Sequence, residues 1–203
     1  MPAGSARLGP VSAEPVRHRF DPRLISVIIP ARDAAASLTE QLDALARQDY
    51  PGSWELIVAD NESRDDTAGV ARAWMKRHRR GRVVSAGLPY SAGHARNVGA
   101  AASAGDFLAF CDADDAAHPG WLRGLAEAAP RGELVSGAVD IAELNDPLAR
   151  SWHVLPPREL ALDAFSFLPF CSGSNTGVWA EVFNELGGFD PEMRWGEDLE
   201  FSW

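Results

Sequence analysis

The chain has 203 residues, 46% of them hydrophobic and 24% charged, and its 19 Lys and Arg against 29 Asp and Glu give a net charge of -10. That length fits one large domain able to bury its own core. The composition excludes disordered, collagen-like and fibrous proteins, and the negative balance argues against a general nucleic-acid binder.

Residues 1–23 mix Pro, Ala, Gly and Arg without an apolar stretch, which reads as a disordered tail and not as a signal peptide. An apolar run at 24–29 is the first expected strand, stopped by Pro30. Ser37 and Glu40 have capping-box spacing, and Leu38, Leu42 and Leu45 mark one face of the helix that follows. A second strand is expected at 54–59. Asp65 or Asp66 can cap the next helix, with Val70 and Trp74 on its inner face. A short strand at 82–85 precedes a helix of small residues at 92–103, suited to close packing on a sheet. A fourth strand is expected at 106–111, a helix at 119–128 and a fifth strand at 133–141. From 142 to 170 the pattern weakens around Pro147, Pro156, Pro157 and Pro169, as in long connections that serve as binding loops. Strands alternating with helices, with near-continuous apolar runs, indicate an α/β fold with an open, mostly parallel sheet flanked by helices.

Cys111 and Cys171 are the two cysteines, far apart and outside any CxxC, so neither a disulfide framework nor a zinc site is expected and a reducing, cytoplasmic setting is the default. No apolar run approaches the roughly 20 residues of a membrane helix. Charge is unevenly spread: 72–82 holds six cations and no anion, whereas 83–203 holds six cations against eighteen anions. The basic stretch reads either as a helix end complementing the dipole or as a patch making peripheral contact with anionic membrane lipid. Eighteen Arg against one Lys suggests a GC-rich bacterial genome.

In an open α/β sheet, ligands bind beyond the carboxyl ends of the strands. Pro30, Ala31, Arg32 and Asp33 follow the first strand, Asp60, Asn61, Glu62 and Ser63 follow the second, and Asp112-Ala113-Asp114-Asp115 follows the fourth. Asp112 and Asp114 point the same way in extended chain and could share Mg²⁺ or Mn²⁺ with phosphate oxygens; such acids also serve as caps for the next helix. Glu197, Asp198 and Glu200 follow Trp195 and Gly196. They either begin a helix whose dipole favours negative charge or include a general base for a hydroxyl. No GxGxxG and no P-loop lysine occurs, and the frame of Gly173 to Gly177 has Asn175 where a nucleophile elbow needs Ser. The five histidines lack metal-ligand spacing. Trp152, Trp179 and Trp203 read as core, with Trp195 the exception.

Taken in order, LISVIIPARD at 24–33, ELIVADNESRDDT at 55–67, SAGHARNVGAAASAGDFLAFCDADD at 91–115 and CSGSNTGVWAEVFNELGGFDPEMRWGED at 171–198 resemble the family-2 glycosyltransferases. That resemblance implies a GT-A fold over 24–203 and transfer of a sugar from a nucleotide-diphosphate donor, UDP-sugar favoured, to a glycan, lipid or small-molecule acceptor. It implies that Pro30, Ala31 and Arg32 line the base and ribose, that Asp60 faces the base, and that Arg96 and Asn97 hold the nucleotide side of the cleft. Asp112 would contact ribose or metal, Asp114 would bind the divalent cation, and Gly173, Ser174 and Asn175, with Trp195, would approach the donor sugar or acceptor. Asp198, with Glu197 beside it, matches the ED pair whose Asp acts as base in an inverting transfer. Relatives usually continue past Trp203, so the resemblance implies that the C-terminal part of the domain is missing. Two other readings share the strand-end acids: an impaired sugar-nucleotide- or partner-binding module of the same fold, and a nucleotidyltransferase, for which Arg32 alone is a thin phosphate-gripping loop.

Overall fold

The computed structural model describes residues 20–141, 144–145, 147–152, 162–164 and 168–203. The first half alternates strand and helix: β1 (Ile25–Ala31), α1 (Leu38–Ala46), β2 (Trp54–Asp60), α2 (Thr67–His78), β3 (Arg82–Ser85), α3 (Ala92–Ala101), β4 (Phe107–Cys111) and α4 (Trp121–Ala128). The second half holds β5 (Leu134–Ser136), α5 (Pro147–Trp152), β6 (Leu162–Ala164), β7 (Leu168–Phe170), β8 (Asn175–Trp179), α6 (Ala180–Leu186) and α7 (Glu197–Ser202). Six strands form one sheet in the order β3-β2-β1-β4-β8-β5, and β6 pairs with β7 apart from it.

β1 is central because Val27, Ile28 and Ile29 are fully buried, as expected of a strand covered on both faces. It pairs in parallel with β2 and β4, and β2 in parallel with β3. Register sets Ala31 beside Asp60, so the first two strand ends lie together at the carboxyl edge. Pro30 does not stop β1. Ala31 O accepts from Asn61 N on the β2 side, so the nitrogen of Pro30 faces the β4 side, where pairing has already ended at Ile28 and Phe110. The missing N–H therefore leaves no ladder bond unmade.

Glycine lets α3 lie close on this sheet. A Cβ on Gly99 would stand 2.4 Å from Ile28 Cγ2, so only a residue without a side chain fits. β8 inserts antiparallel between β4 and β5, which makes the sheet mixed, with its parallel part at β3-β2-β1-β4. The expected fifth strand at 133–141 is shorter, because its partner β8 begins at Asn175, whose carbonyl accepts from Gly137 N at 3.3 Å, and leaves no ladder beyond. The capping box at Ser37 and Glu40 does not form, since Ser37 Oγ instead donates to Ala34 O at 3.4 Å.

α7 has only six residues, too few to be stable alone, yet packing holds it. Phe201 meets Phe189 with ring centroids 4.6 Å apart and Phe183 at 5.4 Å, and Phe189 in turn meets Phe110 of β4 at 5.4 Å. Residues 20–23, the last of the expected tail, pack on the domain: the Phe20 ring lies 5.3 Å from that of Trp179, and Arg23 N donates to Asp106 Oδ1 at 3.1 Å. Residues 1–19 lie outside the described residues, as do Pro156 and Pro157 of the irregular connection.

In the basic stretch Arg72, Lys76, Arg77, Arg79 and Arg80 are exposed. Lys76, Arg77 and His78 form the last turn of α2, where the dipole favours cations. Arg80 lies 4.1 Å above the Trp54 ring, and Arg82 pairs with Glu55 at 2.7 Å. Among the described residues no helix is long and apolar enough to cross a membrane.

Candidate active site

The carboxyl edge of the sheet opens into a cleft with a cavity volume of about 380 Å³. Pro30, Ala31 and Arg32 from the end of β1, Asn61 from the end of β2, Tyr90, Ser91 and Ala92 from the start of α3, Asp112 and Asp114 after β4, and Arg194 line it. Arg32 stacks over Tyr90 with its guanidinium carbon 3.6 Å from the ring centre, and Tyr90 Oη donates to Glu62 Oε2 at 2.8 Å. Asn61 is buried and donates through Nδ2 to the carbonyls of Gly87 and Pro89, which fixes the loop that carries Tyr90. Asp60 ends β2, and its Oδ1 is buried with no hydrogen-bond partner in the protein. A buried polar atom left unpaired is costly; Asp60 itself is not among the residues that line the cavity, whereas its neighbour Asn61 is.

Beneath the cleft lies the densest electrostatic feature. Arg96, on α3 and 3% exposed, donates through Nη2 to Asp112 Oδ1 at 2.7 Å and through Nη1 to Glu197 Oε1 at 2.7 Å. One guanidinium thus joins the acid after β4 to the acid that begins α7. Gly173 completes the packing: a Cβ there would stand 2.8 Å from Arg96 Nη1. Burial pushes the Asp112 carboxyl up, the Arg96 charge pulls it down, and Asp114 and Glu197 add to the upward push. Asp115 is pushed up to about 6 by burial and by the charges of Asp112 and Asp114.

Asp198, the next residue along α7, is half-buried. Its Oδ2 accepts from Gly173 N at 3.0 Å and its Oδ1 from Leu199 N at 2.9 Å. An ionised carboxylate offers about four acceptor positions, so these two bonds orient Asp198 and leave capacity for a proton. Ser202 braces the same turn by donating to Asp198 O at 2.6 Å and accepting from Cys171 N at 3.1 Å. Ser174 is half-buried beside Gly173, and its hydroxyl meets that of Ser172 at 3.0 Å. Trp195 stands 76% exposed.

Two candidates have structural partners. Asn97 clamps Phe189, donating through Nδ2 to its carbonyl at 2.7 Å and accepting from its N–H at 3.0 Å. Asn175 is buried, accepting from Trp121 Nε1 at 2.8 Å and donating to Ala138 O at 3.0 Å. Tyr90, Ser91 and Arg194 also line the cleft; Ser91 and Arg194 lie inside the blocks at 91–115 and 171–198 without being singled out there, and Tyr90 lies outside them.

Among the described residues no group of three or more His, Cys, Asp or Glu side chains could hold a metal ion by itself. Asp112 and Asp114 nonetheless fit a hard divalent cation that takes its remaining ligands from phosphate and water. Asp114 is exposed at the cleft, and the Oδ1 of Asp112 is taken by Arg96, which leaves Oδ2.

The description Glycosyl transferase family 2 matches residues 26–187. Validoxylamine A glucosyltransferase of Streptomyces hygroscopicus subsp. limoneus is 36% identical over 213 residues, spanning 89% of this chain and 47% of that protein. A mannosyltransferase from Pyrobaculum calidifontis, solved with GDP-Man and Mn²⁺, superposes with a TM-score of 0.68 at 24% identity, over 95% of this chain and 53% of that one. TarS 1–349 of S. aureus with UDP-GlcNAc superposes at 0.67 and 21% identity, over 88% of this chain and 52% of that one. The chain spans about half the length of these relatives. It belongs to glycosyl transferase family 2 and has the GT-A fold.

Proposed function

We propose that this chain carries the donor side of a sugar-transfer site, moving a glycosyl group from a nucleoside-diphosphate sugar to an acceptor hydroxyl with inversion at the anomeric carbon. The observation that carries this reading is the Arg96 bridge, which fixes Asp112 at the cleft and the start of α7, hence Asp198, in one rigid unit. Asp60 Oδ1 supports a nucleotide in the cleft, because a buried unpaired carboxylate oxygen suits a ring N–H of uracil or guanine. The relatives were solved with GDP-Man and with UDP-GlcNAc, and this acceptor atom suits either base.

In the proposed reaction Asp198 takes the proton of the acceptor hydroxyl, whose oxygen attacks the anomeric carbon from the face opposite the diphosphate. The bond from that carbon to the phosphate oxygen breaks, and its electron pair leaves with the nucleoside diphosphate. A divalent cation held by Asp112 and Asp114 would supply Lewis-acid stabilisation of the diphosphate. Gly173 N and Leu199 N hold the Asp198 carboxylate in one orientation, which favours a base fixed in place over one that must be ordered on binding. Glu197 is a positioning residue: its carboxylate is occupied by Arg96. The exposed Trp195 ring offers an apolar face to a sugar beside the same turn.

The test is nucleoside-diphosphate release from a panel of UDP- and GDP-sugars by wild-type protein, Asp114→Ala and Asp198→Asn. The reading expects Asp114→Ala to lose metal-dependent donor binding and Asp198→Asn to keep binding but lose turnover about 10²-fold or more. Equal loss of binding in both variants would contradict this division of roles.

A further inference from the structure

The segment 190–196 carries Arg194 over the cleft and is anchored at both ends. Upstream, Ser91 Oγ donates to Pro191 O at 2.8 Å, and Asn97 clamps Phe189. Downstream, Glu197 is bonded to Arg96. Between the anchors Arg194 is exposed and lines the same cleft as Asp112 and Asp114.

Charge in that cleft is unbalanced. Asp33, Asp112 and Asp114 line it, and Arg32 and Arg194 are the cations among the described lining residues. Arg32 is stacked on Tyr90, at the β1 end. Arg96, behind the wall, has both terminal nitrogens bonded to carboxylates. A nucleoside diphosphate entering here meets like charge, and Arg194 is the lining guanidinium away from the stacked Arg32–Tyr90 pair that offers it a fork of N–H donors.

We propose that Arg194 grips the distal phosphate of the nucleoside diphosphate and stabilises it as the leaving group. This rests on the sugar-transfer reading and adds a catalytic residue to it. As the anomeric C–O bond breaks, its electron pair moves to an oxygen of the distal phosphate, which gains one negative charge. The new bond forms to the acceptor oxygen, whose proton passes to Asp198. Arg194 acts where that charge grows, so its contact strengthens towards the transition state. The planar fork matters, because lysine would supply the charge without the paired geometry.

The experiment is calorimetric titration of UDP, UMP, GDP and GMP, at fixed Mn²⁺, into wild-type protein, Arg194→Ala and Arg194→Lys. Arg194 is exposed, so the variants should fold with unchanged melting temperature. The expected result is that Arg194→Ala weakens the diphosphate about tenfold or more while the matching monophosphate changes less than about twofold, with Arg194→Lys between. Diphosphate affinity unchanged in Arg194→Ala overturns the assignment. Equal weakening of diphosphate and monophosphate also overturns it, since Arg194 would then touch the nucleoside or its proximal phosphate. Failure of wild-type protein to bind either pair overturns the underlying nucleotide reading, and is distinguished from the first two results by the wild-type titration alone.

Discussion

Arg96 Nη1 and Glu197 Oε1 meet at 2.7 Å across 101 residues of chain. This bond fastens the short α7 to α3, and with the second bond to Asp112 it makes the two acid motifs parts of one structure. Arg96→Ala would leave a buried Glu197 without a counter-charge and should lower the unfolding free energy by about 3–5 kcal/mol. Glu197→Gln keeps an acceptor for Nη1 and should cost about 1 kcal/mol. Urea midpoints of the two variants check this. Equal losses would show that a neutral acceptor cannot stand in for the Glu197 carboxylate.

The domain should lose stability in acid through two carboxylates far from the cleft. Burial would raise the Glu55 carboxyl, but donors from Ala104 N, Ser26 and Arg82 hold it below the usual 4.5. At Asp106 burial is likewise outweighed, by the side chain of Arg23 and the N–H groups of Leu24 and Arg23, leaving it below 3.8. Both folded values are depressed, so the unfolded chain binds protons first. The stability these groups add is whole above the ordinary carboxylate values and drains away as pH falls through them to the lower folded values. Below about pH 4 urea midpoints should fall, and Glu55→Gln should flatten part of that fall, whereas between about pH 7 and about pH 4 the raised Asp112 and Asp115 act in the opposite sense. A slope unchanged in Glu55→Gln would exclude Glu55 as a source.

Gly99 tests the contact between α3 and β1. Its added Cβ would stand 2.4 Å from Ile28 Cγ2, in a fully buried neighbour. Gly99→Ala should therefore destabilise by about 1–3 kcal/mol, although alanine is the better helix former. Thermal unfolding gives the sign, and a stabilised variant would mean that α3 can shift outward freely.

Both thiols should be slow to react in the folded protein. Burial raises Cys171 to about 11 and, with the charges of Asp112 and Asp115, raises Cys111 well above its usual value. At about pH 8 neither is appreciably thiolate, the reactive form. A thiol-reactive chromophore should label the native protein slowly and both cysteines promptly in urea. Prompt labelling of the native protein would contradict the burial described.

The parallel half of the sheet was legible because its strands are nearly unbroken apolar runs, and the acids at their ends marked the functional edge. β8 was not. Its sequence opens on Asn, Thr and Gly, which reads as a loop. Tertiary partners make it a strand: Asn175 is satisfied by Trp121 and Ala138, and a Cβ on Gly177 would stand 2.6 Å from the Phe107 ring. The same limit applied at the site. Asp112, Glu197 and Asp198 stood out by position, but the Arg96 bridge is a long-range contact that no local pattern encodes. Tyr90 and Arg194 enter the cleft through loop geometry alone.

Calorimetric titration of UDP and of GDP into wild-type protein, with and without Mn²⁺, tests the central reading most directly. The account predicts binding of one nucleotide that tightens about tenfold or more when the metal is present. Binding of neither nucleotide by folded protein, or identical binding with and without Mn²⁺, would contradict it.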